Sequence, residues 1–384
     1  MGTVPSPAPS LSHLPARTWV EIDLAALRHN ARAAQACLAT PELGIIAVVK
    51  ANGYGLGMVP VARALTGLVR AFAVANFAEA FTLRDAGIMA PIYLLGPALP
   101  DEWSAIAAAG FCPAISNLTE AAGFAAAAQT TGQALAVHVV VDTGMGRIGA
   151  MPEEAAALIS AVLASPWLRL DSIASHYPSA DGDPAFTREQ ASRFSHLLEE
   201  LRAAGSALPH SHLSNSAGLT SYPTVGWGRA GLMLYGVSPM DDAQALLQTV
   251  VSWKTRVTLV KHLPTGHGVS YGRTWRTPHP TRTAVLAVGY ADGYPRQASG
   301  REAAVLIGGQ RCPVLGRITM DQIITDTTAL VTPPQPGDEA VLIGSQGQQE
   351  ITAGELATWG QTIPWDIFTG LGPRVQRCYS NFIF

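Results

Sequence analysis

The sequence lacks several features that would assign it to a specialised class of protein. Its 384 residues include only four cysteines, which are scattered and form no C-x-x-C pair. This spacing argues against a disulfide framework and against a zinc site, so we expect reduced thiols and no metal. No apolar run approaches the roughly 20 residues that a membrane-spanning helix needs. We therefore expect no membrane partner.

Charge is also scarce, because only 14% of the residues are charged and the formal net charge is -3. Without a broad basic surface, nucleic acid and anionic membranes are poor partners, and a small molecule is favoured instead. The hydrophobic residues, at 48%, are sufficient for a large core. A chain of this length predicts two domains, one of which could be a large barrel.

The N-terminal segment, residues 1–16, has its own composition. It carries Pro5, Pro7, Pro9 and Pro15 among serines and alanines, and it has neither a basic leader nor an apolar core. This composition predicts a disordered tail rather than a signal peptide. A cytoplasmic location is the corresponding expectation.

Strand and helix patterns alternate through residues 17–249. A strand over 19–24, for which pairing with the C-terminal domain stays open, is followed by a helical pattern over 24–38. Eight short apolar runs then alternate with alanine-rich helical segments; the runs are Ile45–Lys50, Phe72–Asn76, Ile92–Gly96, Phe111–Ser116, Ala136–Val141, Leu170–His176, His210–Leu213 and Leu232–Gly236. This alternation predicts an α/β fold, a (β/α)₈ barrel. An open doubly wound sheet is the rival, but no G-x-G-x-x-G follows the first strand.

A different pattern begins near residue 250. Five β-like runs separated by Gly/Pro-rich turns occupy Arg256–Val260, Thr283–Val288, Ala304–Gly308, Ile323–Thr327 and Ala340–Gly344, with a helix at Ala353–Gly360. Residues 250–384 are therefore predicted to form a mostly β C-terminal domain.

Lys50 is the first candidate for chemistry. It ends the apolar run Ala47–Val49 and precedes a small-residue loop that carries Tyr54. A desolvated amine at this place would have a lowered pKa and could act as a nucleophile or base, although an isolated lysine at a strand end more often reaches into water.

Other polar residues follow the predicted strands and would share the functional end of a barrel. They are Asp142, Thr143, Arg147, His176, Asn215, Ser216 and Arg229, the last just before the predicted eighth strand. An amine can condense with a carbonyl, while hydroxyls, amides and guanidinium groups bind phosphate or carboxylate. Pyridoxal phosphate, which carries an aldehyde and a phosphate, fits this set of residues.

Several motifs, in order along the chain, resemble those of the alanine racemases, which are fold-type III pyridoxal phosphate enzymes. They are Val48-Val-Lys-Ala-Asn-Gly-Tyr-Gly55, Asp142-Thr-Gly-Met-Gly-Arg147, His212 with Asn215-Ser-Ala217, Arg229-Ala-Gly231 with Leu234-Tyr-Gly236, Val269-Ser-Tyr-Gly-Arg273, Gly289-Tyr-Ala-Asp-Gly293 and Gly316-Arg-Ile-Thr-Met-Asp-Gln322. The resemblance runs from about Thr18 to the end of the chain.

The resemblance implies racemisation of L-alanine and D-alanine by two bases that act on opposite faces of the substrate. Lys50 would carry the cofactor and be one base, and Tyr271 would be the other. Arg229 would contact the pyridine nitrogen. The remaining cofactor-binding residues implied by the family are Tyr54, His176, Asn215, Ser216 and Gly231.

The resemblance also assigns supporting roles. Arg147 and Met320 would lie near the substrate carboxylate, His212 would lie behind Arg229, and His176 would orient Tyr271. The entrance would be lined by Tyr290, Arg296, Arg317 and Asp321. A homodimer is implied, with Tyr271 and Met320 supplied by the neighbouring subunit.

Four positions depart from the family pattern. Val140 stands where many members have a carbamylated lysine that braces the arginine, so Arg147 must be held by something else, a bound anion or another side chain. Leu56 replaces a histidine, Thr319 replaces a cysteine, and Pro373 replaces a tyrosine near the substrate pocket. A serine or broad-specificity racemase is therefore an alternative, and a non-catalytic pyridoxal phosphate carrier is a further one.

Overall fold

The computed structural model describes residues 16–223 and 226–381, which form two compact units. One unit contains Ile22–Val251, Pro364–Thr369 and residues 379–381, and the other contains residues 16–21, Ser252–Ile363 and Gly370–Cys378. Apart from Ala16, the predicted N-terminal tail lies outside the described residues.

The chain opens with strand β1 (Thr18–Asp23) and helix α1 (Leu24–Ala36). Asp23 ends the strand and starts the helix, because its Oδ1 accepts hydrogen bonds from the backbone amides of Ala25 (2.7 Å) and Ala26 (3.1 Å). An aspartate at this position satisfies amides that have no partner within the helix. Both elements agree with the predicted strand and helix to within two residues.

Eight parallel strands build the barrel, and their order around it is β8-β7-β6-β5-β4-β3-β2-β9. The strands are β2 (Ile45–Val48), β3 (Ala71–Val74), β4 (Ile92–Leu94), β5 (Cys112–Ile115), β6 (Leu135–Val140), β7 (Leu168–Ala174), β8 (His210–His212) and β9 (Gly228–Ala230). Between β8 and β9, backbone amides of Trp227 and Arg229 donate to the carbonyls of Ser211 (2.8 Å) and Ser214 (2.9 Å). These bonds join the two ends of the sheet.

Helices connect the strands and bury alanine-rich faces. They are the left-handed turn α2 (Lys50–Tyr54), α3 (Met58–Leu65), α4 (Phe77–Asp85), α5 (Trp103–Ala109), α6 (Leu118–Thr131), α7 (Pro152–Ala164), α8 (Pro184–Ala203) and α9 (Ser216–Ser221). Short 3₁₀ helices occupy Pro100–Glu102, Leu232–Tyr235 and Asp241–Leu246. Small side chains on these faces allow close packing of helix on sheet.

The predicted eighth strand at Leu232–Gly236 is wrong. Those residues form a 3₁₀ helix, and the eighth barrel strand is β9, so Arg229 lies within a strand and not before one. Leu232, Met233, Leu234 and Tyr235 are all at most 1% exposed. A short apolar run that is buried on every side gives no periodicity by which to separate helix from strand.

The other unit is mostly β, and its main sheet follows the order β15-β14-β17-β10-β1-β19, with β13 joining β10 to β16 and β18 pairing with β17. Its strands are β10 (Val251–Leu263), β11 (Gly268–Val269), β12 (Trp275–Arg276), β13 (Thr281–Leu286), β14 (Ala304–Ile307), β15 (Gln310–Pro313), β16 (Ile323–Asp326), β17 (Glu339–Gln346), β18 (Gln349–Ile351) and β19 (Gln376–Ser380). Helix α10 (Ala353–Gly360) follows β18, and 3₁₀ helices lie at Tyr271–Arg273, Tyr290–Asp292 and Arg296–Ala298. The next helix along the chain, α11 (Pro364–Thr369), belongs to the barrel unit.

The predicted fold class, a (β/α)₈ barrel followed by a mostly β domain, is confirmed. Among the residues that the structure describes, no helix combines the length and the apolar character needed to cross a membrane.

Candidate active site

A cavity of about 850 Å³ opens within the barrel unit. It collects the residues that were predicted from the strand ends and motifs; those lining it are Lys50, Tyr54, Arg147, His176, His212, Asn215, Ser216, Arg229 and Gly231. Parallel barrel strands direct their carboxyl ends to one face, which explains how residues from distant parts of the sequence meet there.

Lys50 lies at the start of a left-handed turn that follows β2. Residues 51–54 have φ angles of 52°, 55°, 63° and 54°, and this region costs about 1–2 kcal/mol for each L-residue. The amide of Gly53 closes the turn by donating to the carbonyl of Val49 (2.8 Å). The backbone that follows Lys50 is therefore held in a strained and fixed conformation.

Glu79 stabilises this turn, although the sequence analysis did not select it. Its carboxylate accepts hydrogen bonds from the amides of Ala51 (2.6 Å) and Ala75 (2.8 Å), while its own amide donates to the Asn76 side chain (3.1 Å). The Asn-x-x-Glu spacing at a helix start was the available signal, because it resembles a capping box. Here the glutamate reaches the lysine turn instead of the cap residue.

The amine of Lys50 is partly buried. Burial lowers the pKa of Lys50, the positive charge of Arg147 lowers it further, and Glu79 raises it in part. A lowered pKa increases the neutral fraction of the amine, which is the form that attacks carbonyls and accepts protons.

Arg229 is 5% exposed, and its charge is compensated by hydrogen bonds. Nη1 donates to Nδ1 (2.6 Å) and the carbonyl (2.7 Å) of His212, and Nη2 donates to the Ser175 carbonyl (2.7 Å), His176 Nδ1 (2.9 Å) and the Leu213 carbonyl (2.9 Å). Among the described residues, every hydrogen-bond partner of the Arg229 guanidinium is bound by Nη1 or Nη2. The Nε–H is therefore left as a donor for a ligand in the cavity.

Both histidines beside Arg229 are held neutral. Each accepts a guanidinium proton at Nδ1, so each ring proton resides on Nε2. Burial, followed by the charge of Arg229, lowers the pKa of His176 and His212 well below 6.5. Burial lowers the pKa of Arg229 only to about 10, so the guanidinium remains charged at neutral pH.

Two hydroxyls and a backbone amide form a cradle for an anion. Ser216 Oγ accepts hydrogen bonds from the amides of Gly231 (3.0 Å) and Met233 (3.5 Å). A Cβ on residue 231 would come within 2.5 Å of the Tyr54 hydroxyl, so only glycine leaves this approach open. Burial raises the pKa of Tyr54 to about 12, which keeps its hydroxyl a donor.

Asn215 lines the same cavity, but its side chain is engaged by the protein. Its Oδ1 accepts from the Gly218 amide (2.9 Å) and its Nδ2 donates to the Tyr177 carbonyl (3.0 Å). Asn215 therefore caps α9 and holds the neighbouring Ser216 in place.

The Asp142 motif organises the loop before Arg147. Asp142 Oδ1 accepts from the amides of Gly144 (2.8 Å), Met145 (2.8 Å) and Gly146 (3.1 Å). The aspartate is thus occupied with loop backbone, while Arg147 is exposed. Within the described chain, the Arg147 guanidinium has no hydrogen-bond or ion-pair partner.

Val140 belongs to an apolar cluster at the cavity wall. It is 7% exposed and packs with Ala114 and Ala174, and Ile148 covers the group. This cluster occupies the place that the family pattern gives to a carbamylated lysine. It offers no hydrogen-bond acceptor to Arg147.

The predicted site residues of the second unit share one property, which is exposure to solvent. Tyr271 is 71% exposed, Met320 52% and Tyr290 41%, and Arg296, Arg317 and Asp321 are also exposed. Asp321 forms an ion pair with Arg374 at 2.8 Å.

Tyr271 sits on a strained turn. Its neighbour Ser270 has φ of 59°, and Arg273 has φ of 46°. Ser270 Oγ donates to the carbonyl of Arg317 (2.5 Å), which ties the turn to the following loop. The exposed Tyr271 ring is therefore presented by a fixed backbone.

The Met320 loop is closed by Thr319, one of the departures from the family pattern. The Thr319 hydroxyl donates to the Gln322 carbonyl (2.7 Å) and accepts from the Gln322 amide (3.1 Å). The Met320 carbonyl accepts from the Ala291 amide (3.0 Å).

Comparison with known proteins gives consistent matches over the whole chain. The family models "Alanine racemase, N-terminal domain" and "Alanine racemase, C-terminal domain" match residues 22–239 and 250–379. An alanine racemase of Symbiobacterium thermophilum is 42% identical over 374 residues, covering 95% of this chain and 97% of that protein. One of Methylacidiphilum infernorum is 39% identical over 373 residues, covering 96% and 94%.

Solved structures agree with the sequence comparison. The crystal structure of alanine racemase from D-cycloserine-producing Streptomyces lavendulae aligns with a TM-score of 0.86 at 34% identity, over 96% of this chain and 98% of that one. The chain belongs to the alanine racemase family, whose members are pyridoxal phosphate-dependent amino-acid racemases.

Proposed function

We propose that this protein interconverts L-alanine and D-alanine with bound pyridoxal phosphate, using Lys50 and Tyr271 of the partner subunit as the two bases. The observation that carries the proposal is the buried Arg229, which keeps Nε–H available in the cavity that also holds Lys50. The cavity provides a donor for a ring nitrogen, a cradle for a phosphate and an amine for a carbonyl.

The residues present suit the cofactor. Tyr54, Ser216 and the Gly231 amide would hold the phosphate. The Tyr54 hydroxyl lies 2.5 Å from where a Cβ on residue 231 would be, and Ser216 Oγ accepts from the Gly231 amide over 3.0 Å. Arg229 would donate from Nε to the ring nitrogen. When bound, pyridoxal phosphate withdraws electrons from the substrate Cα and makes its hydrogen acidic. Because a guanidinium keeps its proton, the ring nitrogen would stay largely neutral. The electron withdrawal by the cofactor would therefore be moderate rather than maximal.

Lys50 Nζ would remove or return the hydrogen on one face of the substrate. Its lowered pKa supports this role, because the amine must be neutral to accept a proton. Arg147, exposed beside the cavity, would bind the substrate carboxylate through two of its three guanidinium nitrogens.

Tyr271 Oη would serve the opposite face, and we propose that it comes from a second copy of the chain. The 71% exposure of its ring on a strained turn, together with exposed Met320 and Tyr290, supports insertion into another subunit. His176, neutral and with its proton on Nε2, would donate to the Tyr271 oxygen and stabilise its deprotonated form. A homodimer with shared sites follows from this proposal.

A serine or broad-specificity racemase is the second candidate. It is favoured by Val140, whose apolar cluster replaces a brace for Arg147, and by Pro373, which is exposed in a turn before β19. A non-catalytic cofactor carrier is less well supported, because Tyr271 would then have no role.

A panel of L-amino and D-amino acids tests the proposal with the cofactor-loaded protein. We expect the highest kcat/KM for alanine in both directions, and loss of cofactor absorbance in Lys50→Ala. A loaded protein that racemises serine or lysine better than alanine would establish the second candidate. A loaded protein that racemises no amino acid would eliminate both.

A further inference from the structure

The ends of two neighbouring barrel strands are joined by one carboxylate. Glu79 Oε1 accepts a hydrogen bond from the amide of Ala51, the residue after Lys50, over 2.6 Å. Its Oε2 accepts from the amide of Ala75, directly after β3, over 2.8 Å. Hydrogen bonds to an ionised carboxylate are roughly twice as strong as those between neutral groups. Glu79 therefore ties the backbone beside Lys50 to the adjacent strand.

The same local motif occurs two strands further along the barrel. At the start of α6, the Glu120 amide donates to Asn117 Oδ1 (2.9 Å), and Glu120 Oε2 accepts from the Ser116 amide (2.6 Å). These bonds repeat those at the start of α4. Within the described chain, the Glu120 carboxylate makes no hydrogen bond to a second strand end. The bond to Ala51 is therefore an addition to the motif, made at the strand end that carries the lysine.

The Lys50 amine itself is not bound by Glu79. Both oxygens of the Glu79 carboxylate bind backbone amides. In the part of the chain that the structure describes, Lys50 Nζ has no hydrogen-bond or ion-pair partner. A direct ion pair would hold the amine in its charged form, which neither attacks a carbonyl nor accepts a proton. Glu79 therefore acts on Lys50 through the backbone and through its charge, and it leaves the amine accessible.

Charged groups from several elements surround the lysine turn. Burial and the positive charge of Arg147, in the loop after β6, disfavour the ammonium form of Lys50, whereas Glu79 favours it. The charge of Lys50 in turn acts on His176, which follows β7. Helices α3 and α11 also pack against the turn. Their charged residues are Arg63 and Asp366.

We propose that Glu79 is a positioning residue for Lys50, which holds the strained turn beside the amine and offsets part of the charge of Arg147. The first action requires a hydrogen-bond acceptor, and the second requires a negative charge. Substitutions of Glu79 can therefore separate the two actions. The effect on catalysis rests on the proposed function, whereas both actions are already present in the protein without cofactor.

Hydrogen exchange of the Ala51 amide tests the first action. Ala51 is exposed, so protection of its amide in the wild type would come from the bond to Glu79. Glu79→Ala should accelerate the exchange at least about tenfold, the effect of losing one charge-assisted hydrogen bond. Glu79→Gln keeps an acceptor oxygen and should restore part of the protection. Glu120→Ala loses the matching bond at α6 and should leave the exchange of Ala51 unchanged.

Amine labelling of the protein without cofactor tests the second action. The chain has three lysines, so acetic anhydride labelling followed by mass spectrometry resolves Lys50 from Lys261, an exposed reference in the same molecule. In Glu79→Gln, the midpoint of Lys50 labelling should move to lower pH, because a charge that favours the ammonium form is removed. Glu120→Gln should leave the midpoint in place.

Kinetics of the cofactor-loaded enzyme complete the test. We expect Glu79→Ala to lower kcat for alanine about tenfold while KM changes less than twofold, and Glu79→Gln to lose less. A wild-type exchange rate of Ala51 in Glu79→Ala, or an unmoved Lys50 midpoint in Glu79→Gln, would overturn the positioning role. Equal effects in the Glu120 variants would also overturn it. The expected exchange and labelling in a protein that racemises no amino acid would instead overturn the proposed function alone.

Discussion

Nη1 of Arg229 donates to Nδ1 of His212 across 2.6 Å, and this bond makes the charge of one residue depend on the neutrality of the other. If His212 gained a second proton, two donors would face each other inside the barrel. The depressed pKa of His212 prevents this at neutral pH. Acidification should therefore act on the site through its histidines.

Arg229→Lys should damage cofactor binding more than its retained charge suggests. An ammonium cannot replace the fork that satisfies His212, His176 and three carbonyls. We expect at least about tenfold weaker cofactor binding, from the loss of one or more buried bonds. Arg282→Lys is the matched control, because Arg282 also caps carbonyls, those of Thr327 and Leu330. Equal cofactor affinity in both variants would contradict the assignment.

Stability should fall as the pH drops below about 6.5, the ordinary pKa of histidine in an unfolded chain. His138, His176 and His212 have lowered pKa values in the folded state, about 4 for His138, mainly because they are buried. The unfolded chain then binds more protons than the folded one, so unfolding becomes easier by about 1.4 kcal/mol per pH unit for each histidine.

Urea unfolding at several pH values between 6.5 and 4.5 measures this slope. His138→Gln should reduce it by about one proton's contribution. His196→Gln, at an exposed position of α8, should leave the slope unchanged because that ring is solvated in both states. A slope that is the same in all three proteins would rule out His138 as one of its sources.

Gly231→Ala should close the anion cradle, because the added Cβ would lie 2.5 Å from the Tyr54 hydroxyl. Cofactor affinity should fall, as measured by absorbance titration. Adding Tyr54→Phe removes the colliding oxygen, so the double variant should bind better than Gly231→Ala alone. Losses that simply add would mean that the two residues do not meet.

Mixed dimers test whether sites are shared. When Lys50→Ala and Tyr271→Phe chains are unfolded together and refolded, half of the dimers should be heterodimers, each with one intact site. We expect about a quarter of wild-type activity, well above either parent, as symmetry requires. Activity no greater than that of the parents would place both bases in one subunit.

Val140 should tolerate loss of volume or gain of polarity poorly. Val140→Ala should destabilise the fold by about 1–2 kcal/mol through a small cavity. Val140→Thr should cost about 1–3 kcal/mol, because its buried hydroxyl would have no partner among Ala114, Ala174 and Ile148. Val331→Ala, at a position 90% exposed, is the control. A Val140→Thr protein as stable as the wild type would show that the cluster admits water or another partner.

The barrel could be predicted because most of its strands and helices carry distinct periodic patterns. Helix α1, predicted over residues 24–38 from its helical periodicity, spans Leu24–Ala36. Strand β9 could not be found in this way. Its sequence is Gly228-Arg229-Ala230, and its arginine is buried only because two histidines and several carbonyls surround it. Those partners come from other strands, and no local pattern reports them.

In the candidate site, too, residues within local motifs could be predicted, and residues that act through partners on other strands could not. Lys50 and Arg147 stand in recognisable motifs, so their neighbourhood was predicted. Ser172, whose Oγ lies 3.1 Å from His212 Nε2, was missed, because a hydrogen bond between residues of different strands leaves no spacing in the sequence. Glu79 was detectable only as a helix-capping pattern, and its bond to Ala51 appears only in three dimensions.

The left-handed turn after Lys50 has a consequence for engineering thermal tolerance. Ala51 is exposed and has φ of 52°, a conformation in which glycine avoids a penalty of about 1 kcal/mol. Replacing Ala51 with glycine should relieve that penalty while giving the neighbouring lysine a looser support. Ala51 therefore lowers the stability of the fold but keeps the backbone beside Lys50 stiff. A search for heat-resistant variants would select against Ala51 at the expense of turnover.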